Sequence, residues 1–321
     1  MSGSRRNGVD MPQDSRKVPV GHAWRPIEDL PDDWQRLADS DLHRLADRWR
    51  KSRRWIEHRE DLRPQGAIAD FTERLKREWA IETGLIERVY TLTRGITELL
   101  IERGLREELI PSSATDRDPA LVFDMIQDHA AAVDGLFDFV KQERQLSTSY
   151  IKELHSVLLA HQHTASARDI FGRRVEMALT RGEYKKRPSN PVRPDGLVHE
   201  YCPPEQVASE MDSLLAMHLE HGEGGVAPEV EAAWLHHRFT QIHPFQDGNG
   251  RVARALATLV MIRAGWLPLV VTDEGRADYI DALEAADEGD LAPLVQLFAE
   301  IQRRAFEGAI DAAGRAVATR G

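Results

Sequence analysis

The stretch His243-Pro244-Phe245-Gln246-Asp247-Gly248-Asn249-Gly250-Arg251, with Arg254 one helical turn further on, decides how this chain is read. It lies between two segments of helical pattern. Upstream, Pro228 stands where a helix can begin, because its missing N–H is not needed in a first turn. Trp234, Leu235 and Phe239 then lead towards Ile242. Downstream, Leu256, Leu259 and Val260 carry the apolar spacing of a helix starting near Gly250, and Gly265 followed by Pro268 marks its stop. The stretch is therefore a tight loop that feeds a helix start.

Each residue type in that loop has a chemical reason to be there. Gly248 and Gly250 let the backbone reach positive φ and come close to a ligand, and Asn249 tolerates the same region. A Gly-Asn-Gly turn entering a helix aims several N–H groups at one point, where the helix dipole adds positive potential. Arg251 and Arg254 share a face of the first turn. Two cations there oppose the dipole, so an anionic ligand such as a polyphosphate explains them better. Asp247 would repel phosphate unless a cation such as Mg²⁺ stood between them. His243 accepts a proton near neutral pH, as an attacking hydroxyl requires. A helix-joining loop with surface charges explains any two of these features, but not all of them together.

The rest of the chain predicts an all-α fold with one small β-hairpin. Leu42, Leu45, Trp49 and Ile56 recur at helical spacing. The arginines and lysine around Trp49 and Trp55 fit a solvated helix face better than a nucleic-acid surface. A long helical stretch runs from Ile68 to Glu108, with Gly95 and Gly104 as candidate breaks. Ile110 to Pro119 is turn-rich. The helical pattern fails again between Gly182 and Pro204, where Arg193-Pro194-Asp195-Gly196 signals a turn. Extended stretches at Glu183–Lys186 and Leu197–Tyr201 would make that the hairpin. The expected organisation is a disordered tail over 1–20, a helical region over 21–110, a core over 118–300 and a C-terminal helix over 301–321.

Composition narrows the function classes. The chain has 321 residues, 30% of them charged, and a net charge of −11, which argues against nucleic acid or anionic lipid as a partner. No apolar run is long enough to span a membrane. Cys202 is the sole cysteine, so no internal disulfide forms, and a cytoplasmic setting is expected. The histidine pairs His161/His163 and His236/His237 lack the further ligands that a zinc site needs.

The loop also resembles the signature of the Fic family, His-x-Phe-x-(Asp or Glu)-Gly-Asn-Gly-Arg-x-x-Arg, at every fixed position from His243 to Arg254. Leu146–His155, Glu200–Pro204, Trp234–Phe239 and Tyr279–Leu283 look like further family segments, and the likeness extends over roughly 71–298. The resemblance implies a helical Fic fold with a flap beside the loop. It implies a protein adenylyltransferase that moves AMP from Mg-ATP, or Mn-ATP, onto a hydroxyl of a protein target, itself included. His243 would be the base and Asp247 the metal ligand. Gly248, Asn249 and Gly250 would cradle the phosphates, with Arg251 on the β- and Arg254 on the γ-phosphate. Phe245 would anchor the loop, and the hairpin over 182–200 would dock the target by strand addition. Monomers and homodimers both occur in the family.

Thr83-Gly-Leu-Ile-Glu87 resembles the family's inhibitory motif, (Ser or Thr)-x-x-x-Glu-(Gly or Asn), placed N-terminal to the core as in its second regulatory class. Thr83 and Glu87 are one turn apart and can face one pocket. The implied switch is a salt bridge from Glu87 to Arg254 that removes the γ-phosphate contact. Arg88 departs from the preferred Gly or Asn, which bears on how that helix ends. Two rival functions remain at this stage. One is removal of AMP with help from Glu87. The other is a nucleotide-sensing regulator without turnover, against which the intact His243 counts.

Overall fold

The computed structural model describes residues 19–57, 66–168, 173–193 and 195–318. At its centre lie α7 (Pro228–Ile242) and α8 (Asn249–Arg263), joined by the 243–248 loop and packed against each other. Every α8 residue from Arg251 to Ile262 is buried. Such all-round burial explains why neither helix has a clean polar stripe in sequence. Pro228 occupies the first turn of α7, as its sequence position suggests. Helix α8 ends in a left-handed Gly265, with Gly265 N–H bonding Ile262 O and Trp266 N–H bonding Met261 O.

Around this pair stand α4 (Pro119–Lys141), α5 (Thr148–Leu158), α6 (Val207–Gly224), α9 (Arg276–Asp287) and α10 (Ala292–Ala318). Asp118 caps α4 by accepting from Ala120 N–H, and Ser147 caps α5 by accepting from Tyr150 N–H. Near the N-terminus, α1 (Ser40–Glu57) packs on α10, with Leu42 and Trp49 buried. The expected cut at residue 300 falls inside α10, which runs through it unbroken. The expected 1–20 tail lies outside the described residues apart from 19 and 20.

Helix α2 (Ala67–Ile86) includes Thr83 and ends at its C-cap, Glu87. Trp79 and Ile86 join the main apolar cluster around α7 and α8, while Ala80, Ile81 and Leu85 join a second one with Tyr90, Leu100, Val122 and Ile126. Trp79 Nε1 also donates to Thr258 Oγ1 of α8 at 3.0 Å. Helix α2 is thus clamped on two sides and held in register with α8. The break in the long helical stretch falls at 87–93, before α3 (Arg94–Arg103), not at Gly95, which lies inside α3. Gly104 does end α3, at φ 96°.

The strands correct the hairpin placement. The regular antiparallel hairpin is β2 (Thr164–Arg168) with β3 (Arg174–Ala178), N-terminal to the turn signal. The 182–201 segment is mainly irregular over its described residues. It holds an isolated Val192–Val198 bridge and β4 (Val198–His199), which pairs in parallel with β1 (Val20–His22). Its prolines remove the amide donors that a second ladder would need.

Candidate active site

His243 is the C-cap of α7, in the left-handed region at φ 51° and ψ 59°. A non-glycine residue there is held by its surroundings. Its ring stacks on Tyr201 with centroids 3.8 Å apart, and Lys185 lies alongside, bonded through its own N–H to Pro244 O at 2.8 Å. Burial pushes the imidazole down to about 3, and the Lys185 ammonium adds to the effect. The Thr240 backbone oxygen opposes that shift without reversing it. His243 is thus a neutral imidazole at physiological pH, and a weak base as long as it stays buried. Lys185 is itself buried and pushed down to about 8 by desolvation.

The loop between the helices is braced from two sides. Asn249 Oδ1 accepts from Phe245 N–H at 2.8 Å, and its Nδ2 donates to Phe245 O at 2.9 Å. Its side chain is therefore spent on the loop. Phe245 is fully buried and stacks on His155 at 3.9 Å. His155 Nδ1 accepts from Gly182 N–H at 2.8 Å, so its Nε2 carries the proton donated to Asp247 O at 3.0 Å. Gly248 has φ 78° and caps α8, as expected. Gly250 is helical instead, and close approach is what requires it. A Cβ there would stand 2.0 Å from Glu87 Oε1.

Two arginines in the first turns of α8, Arg251 and Arg254, are each 1% exposed. Every guanidinium nitrogen of Arg254 has a partner. Nη1 meets Glu87 Oε1 at 2.8 Å and Tyr279 Oη at 3.4 Å. Nε donates to Thr83 Oγ1 at 3.0 Å, and Nη2 to Thr83 O at 2.9 Å. Thr83, Glu87 and Arg254 are thus brought together, with the Glu87 carboxylate lying over Gly250 at the positive end of α8. Arg251 is differently placed. Its Nη2 donates to Gln162 Oε1 at 2.6 Å, its Nε has no partner among the described residues, and Asp247 Oδ1 is 4.0 Å away. Burial lowers the Arg251 pKa, whereas at Arg254 the same burial is outweighed by Glu87 and Tyr279.

The end of α2 explains the departure at position 88. Arg88 N–H bonds Leu85 O at 2.9 Å and Val89 N–H bonds Gly84 O at 3.1 Å, a helix end that puts Arg88 at φ 55°. Glycine or asparagine suits that conformation, and an ordinary side chain loses roughly 1–2 kcal/mol there. An exposed salt bridge from Arg88 Nη1 to Asp273 Oδ2 at 3.1 Å offsets part of this and draws Arg88 away from Glu87.

Sequence inspection gave no site role to Gln162, Lys185, Tyr201 or Tyr279, although Tyr201 and Tyr279 lie in segments that resemble the family. The histidine pairs do not converge: His161 bonds Asp128, His237 bonds Asp287, and His236 meets the Tyr279 hydroxyl. The metal-like cluster among the described residues is His22, His199 and Asp287. There the Arg193 guanidinium already supplies the cation, 3.0 Å from His199 Nδ1 and 3.4 Å from Asp287 Oδ2.

Residues 145–261 match the Fic/DOC family. Protein adenylyltransferase fic-1 of Caenorhabditis briggsae is 29% identical over 230 residues, covering 69% of this chain and 39% of that protein. The chain thus spans well under half the length of this curated relative. A Fic domain containing signaling protein from Bacteroides thetaiotaomicron superposes with a TM-score of 0.67 at 26% identity, covering 86% of this chain and 97% of that one. Fic-1 (aa134 - 508) from Caenorhabditis elegans gives 0.60 at 22% identity over 87% and 74%, a likeness of fold. The chain carries a Fic/DOC domain, and its fold is the helical Fic fold.

Proposed function

We propose that this Fic/DOC chain is a protein adenylyltransferase, held in check by Glu87, that moves AMP from ATP onto a hydroxyl of a protein target. One observation carries the proposal. Two fully buried guanidinium groups, Arg251 and Arg254, stand at the positive end of α8 beside a neutral imidazole. Buried cations at a helix N-terminus destabilise a fold unless anions compensate them. One of the two has its carboxylate, Glu87, and the other has only the amide oxygen of Gln162 within hydrogen-bond distance. A triphosphate answers both.

The chemistry follows from these groups. The target hydroxyl oxygen attacks the α-phosphorus, the bond from that phosphorus to the pyrophosphate oxygen breaks, and the hydroxyl proton passes to His243. The N–H groups at the start of α8 and Arg251 hold the phosphates, and Arg254 takes the terminal one once Glu87 has left it. Asp247 suits Mg²⁺. Its carboxylate is 35% exposed, stands 4.0 Å from Arg251 Nη2, and keeps lone pairs beyond those given to Gly248 N–H and Gln162. One carboxylate plus phosphate oxygens is the usual protein share of a Mg²⁺ site, and the ion would neutralise phosphate charge there. Glu87 inhibits by occupying the surface over Gly250 and by engaging Arg254.

The test is incubation of wild type, Glu87→Gly and Glu87→Gly/His243→Ala with labelled ATP, alone and with lysate, followed by mass spectrometry for AMP adducts. Glu87→Gly should label itself or a target far more than wild type, and loss of His243 should lower the rate about 10²–10⁴-fold. Equal labelling by wild type and Glu87→Gly removes the switch. No AMP adduct with any of them removes the transferase.

A further inference from the structure

We propose that Gln162 is a positioning residue that keeps the metal ligand Asp247 and the phosphate clamp Arg251 apart. The inference rests on the adenylyltransferase reading above. Gln162 stands between α5 and β2, two residues ahead of the hairpin. Its backbone is pinned by its own N–H to Leu159 O at 3.0 Å. The preceding His161 is tied to Asp128 of α4, through N–H at 2.7 Å and through Nδ1 at 2.9 Å. From this fixed base the side chain enters the site. Nε2 donates to Asp247 Oδ2 at 2.7 Å and to Thr164 O at 3.0 Å, while Oε1 accepts from Arg251 Nη2 at 2.6 Å.

Chemistry fixes the amide's orientation. A carboxylate and a carbonyl accept only, and a guanidinium donates only, so the reverse orientation would lose every one of these bonds. The amide therefore presents a donor to the anion and an acceptor to the cation at once. Asp247 in the loop and Arg251 in the first turn of α8 are four residues apart, with Asp247 Oδ1 and Arg251 Nη2 at 4.0 Å. Without an intervening group the two would close into a direct ion pair. A closed pair would occupy the carboxylate that the cation needs and the guanidinium that phosphate needs. Gln162 is neutral, so it satisfies both charges without cancelling either.

The experiment uses the full chain with Glu87→Gly, so that the inhibitory carboxylate is absent. Binding is read by calorimetry with Mg-ATP and with metal-free ATP. Gln162→Met keeps the volume and loses all three bonds. Its Kd for Mg-ATP should rise about 10–100-fold, as for other groups that orient a metal ligand. Gln162→Glu still accepts from Arg251 but repels Asp247, so it should not restore binding. In Gln162→Met/Asp247→Asn no ion pair can form, and metal-free ATP should bind more tightly than to Gln162→Met alone. Thermal melting of each variant separates loss of folding from loss of positioning. An unchanged or tighter Mg-ATP Kd in Gln162→Met would overturn this role for Gln162 while leaving the transferase in place. So would failure of Asp247→Asn to recover metal-free binding. Failure of Glu87→Gly itself to bind Mg-ATP would overturn both.

Discussion

Replacing Glu87 with alanine should make the protein less stable when empty and more responsive to nucleotide. The salt bridge joins a carboxylate 27% exposed to a guanidinium 2% exposed across 2.8 Å. Removing one partner of a fully buried pair costs about 3–5 kcal/mol, because a naked charge is left behind. Here the carboxylate is partly in water, and Arg254 keeps its bonds to Thr83 and Tyr279. About 1–3 kcal/mol is the appropriate range. For a chain of this size that lowers the melting temperature by roughly 1.5–4.5 °C. Mg-ATP should reverse the order. A ligand at 100 times its Kd adds about 2.7 kcal/mol, and only the variant offers Arg254 to the terminal phosphate. Calorimetric melting with and without Mg-ATP measures both quantities. Adding Arg254→Met should abolish the variant's larger response. If Glu87→Ala melts with wild type when empty, or if Mg-ATP raises both equally, the coupling drawn from this geometry is wrong.

Gly250→Ala should not mimic loss of Glu87. Its Cβ would stand 2.0 Å from Glu87 Oε1 and 3.2 Å from Arg254 Nη1, so it displaces the carboxylate but fills the space a phosphate would use. The expected result is a lower melting temperature with no gain in nucleotide binding, and AMP transfer at or above the Glu87→Ala level would contradict it. Glu82 offers a pH test. Burial first, then the nearby Glu78 and Asp273 charges, raise it to about 7, against a bond from Asp273 N–H. A carboxyl whose folded pKa lies above its unfolded one favours the folded state at low pH, and that advantage is lost as pH rises from about 4.5 to 7. Glu82→Gln should therefore stabilise the protein by up to about 3 kcal/mol at pH 8 and by little at pH 4.5. Urea unfolding at the two pH values checks this, and an equal effect at both would refute it.

The division between what was legible in the chain and what was not follows from the range of the forces involved. The 243–254 loop could be read from sequence because its parts are local: a proline-started helix, a glycine at φ 78° and two arginines one turn apart. The Thr83–Glu87 pair was legible for the same reason, since helical spacing alone puts both on one face. The hairpin was misplaced because turn residues mark a bend without saying which flanking segments find a partner. The proline-rich stretch spent its amides on the isolated bridge and on β1. That Glu87 reaches Arg254, 167 residues away in sequence, depends on α2 being clamped between two apolar clusters. The site contacts of Gln162, Lys185, Tyr201 and Tyr279 came into view only in three dimensions. A side chain that acts by standing between two charges, or against one ring, has no period and no spacing to betray it.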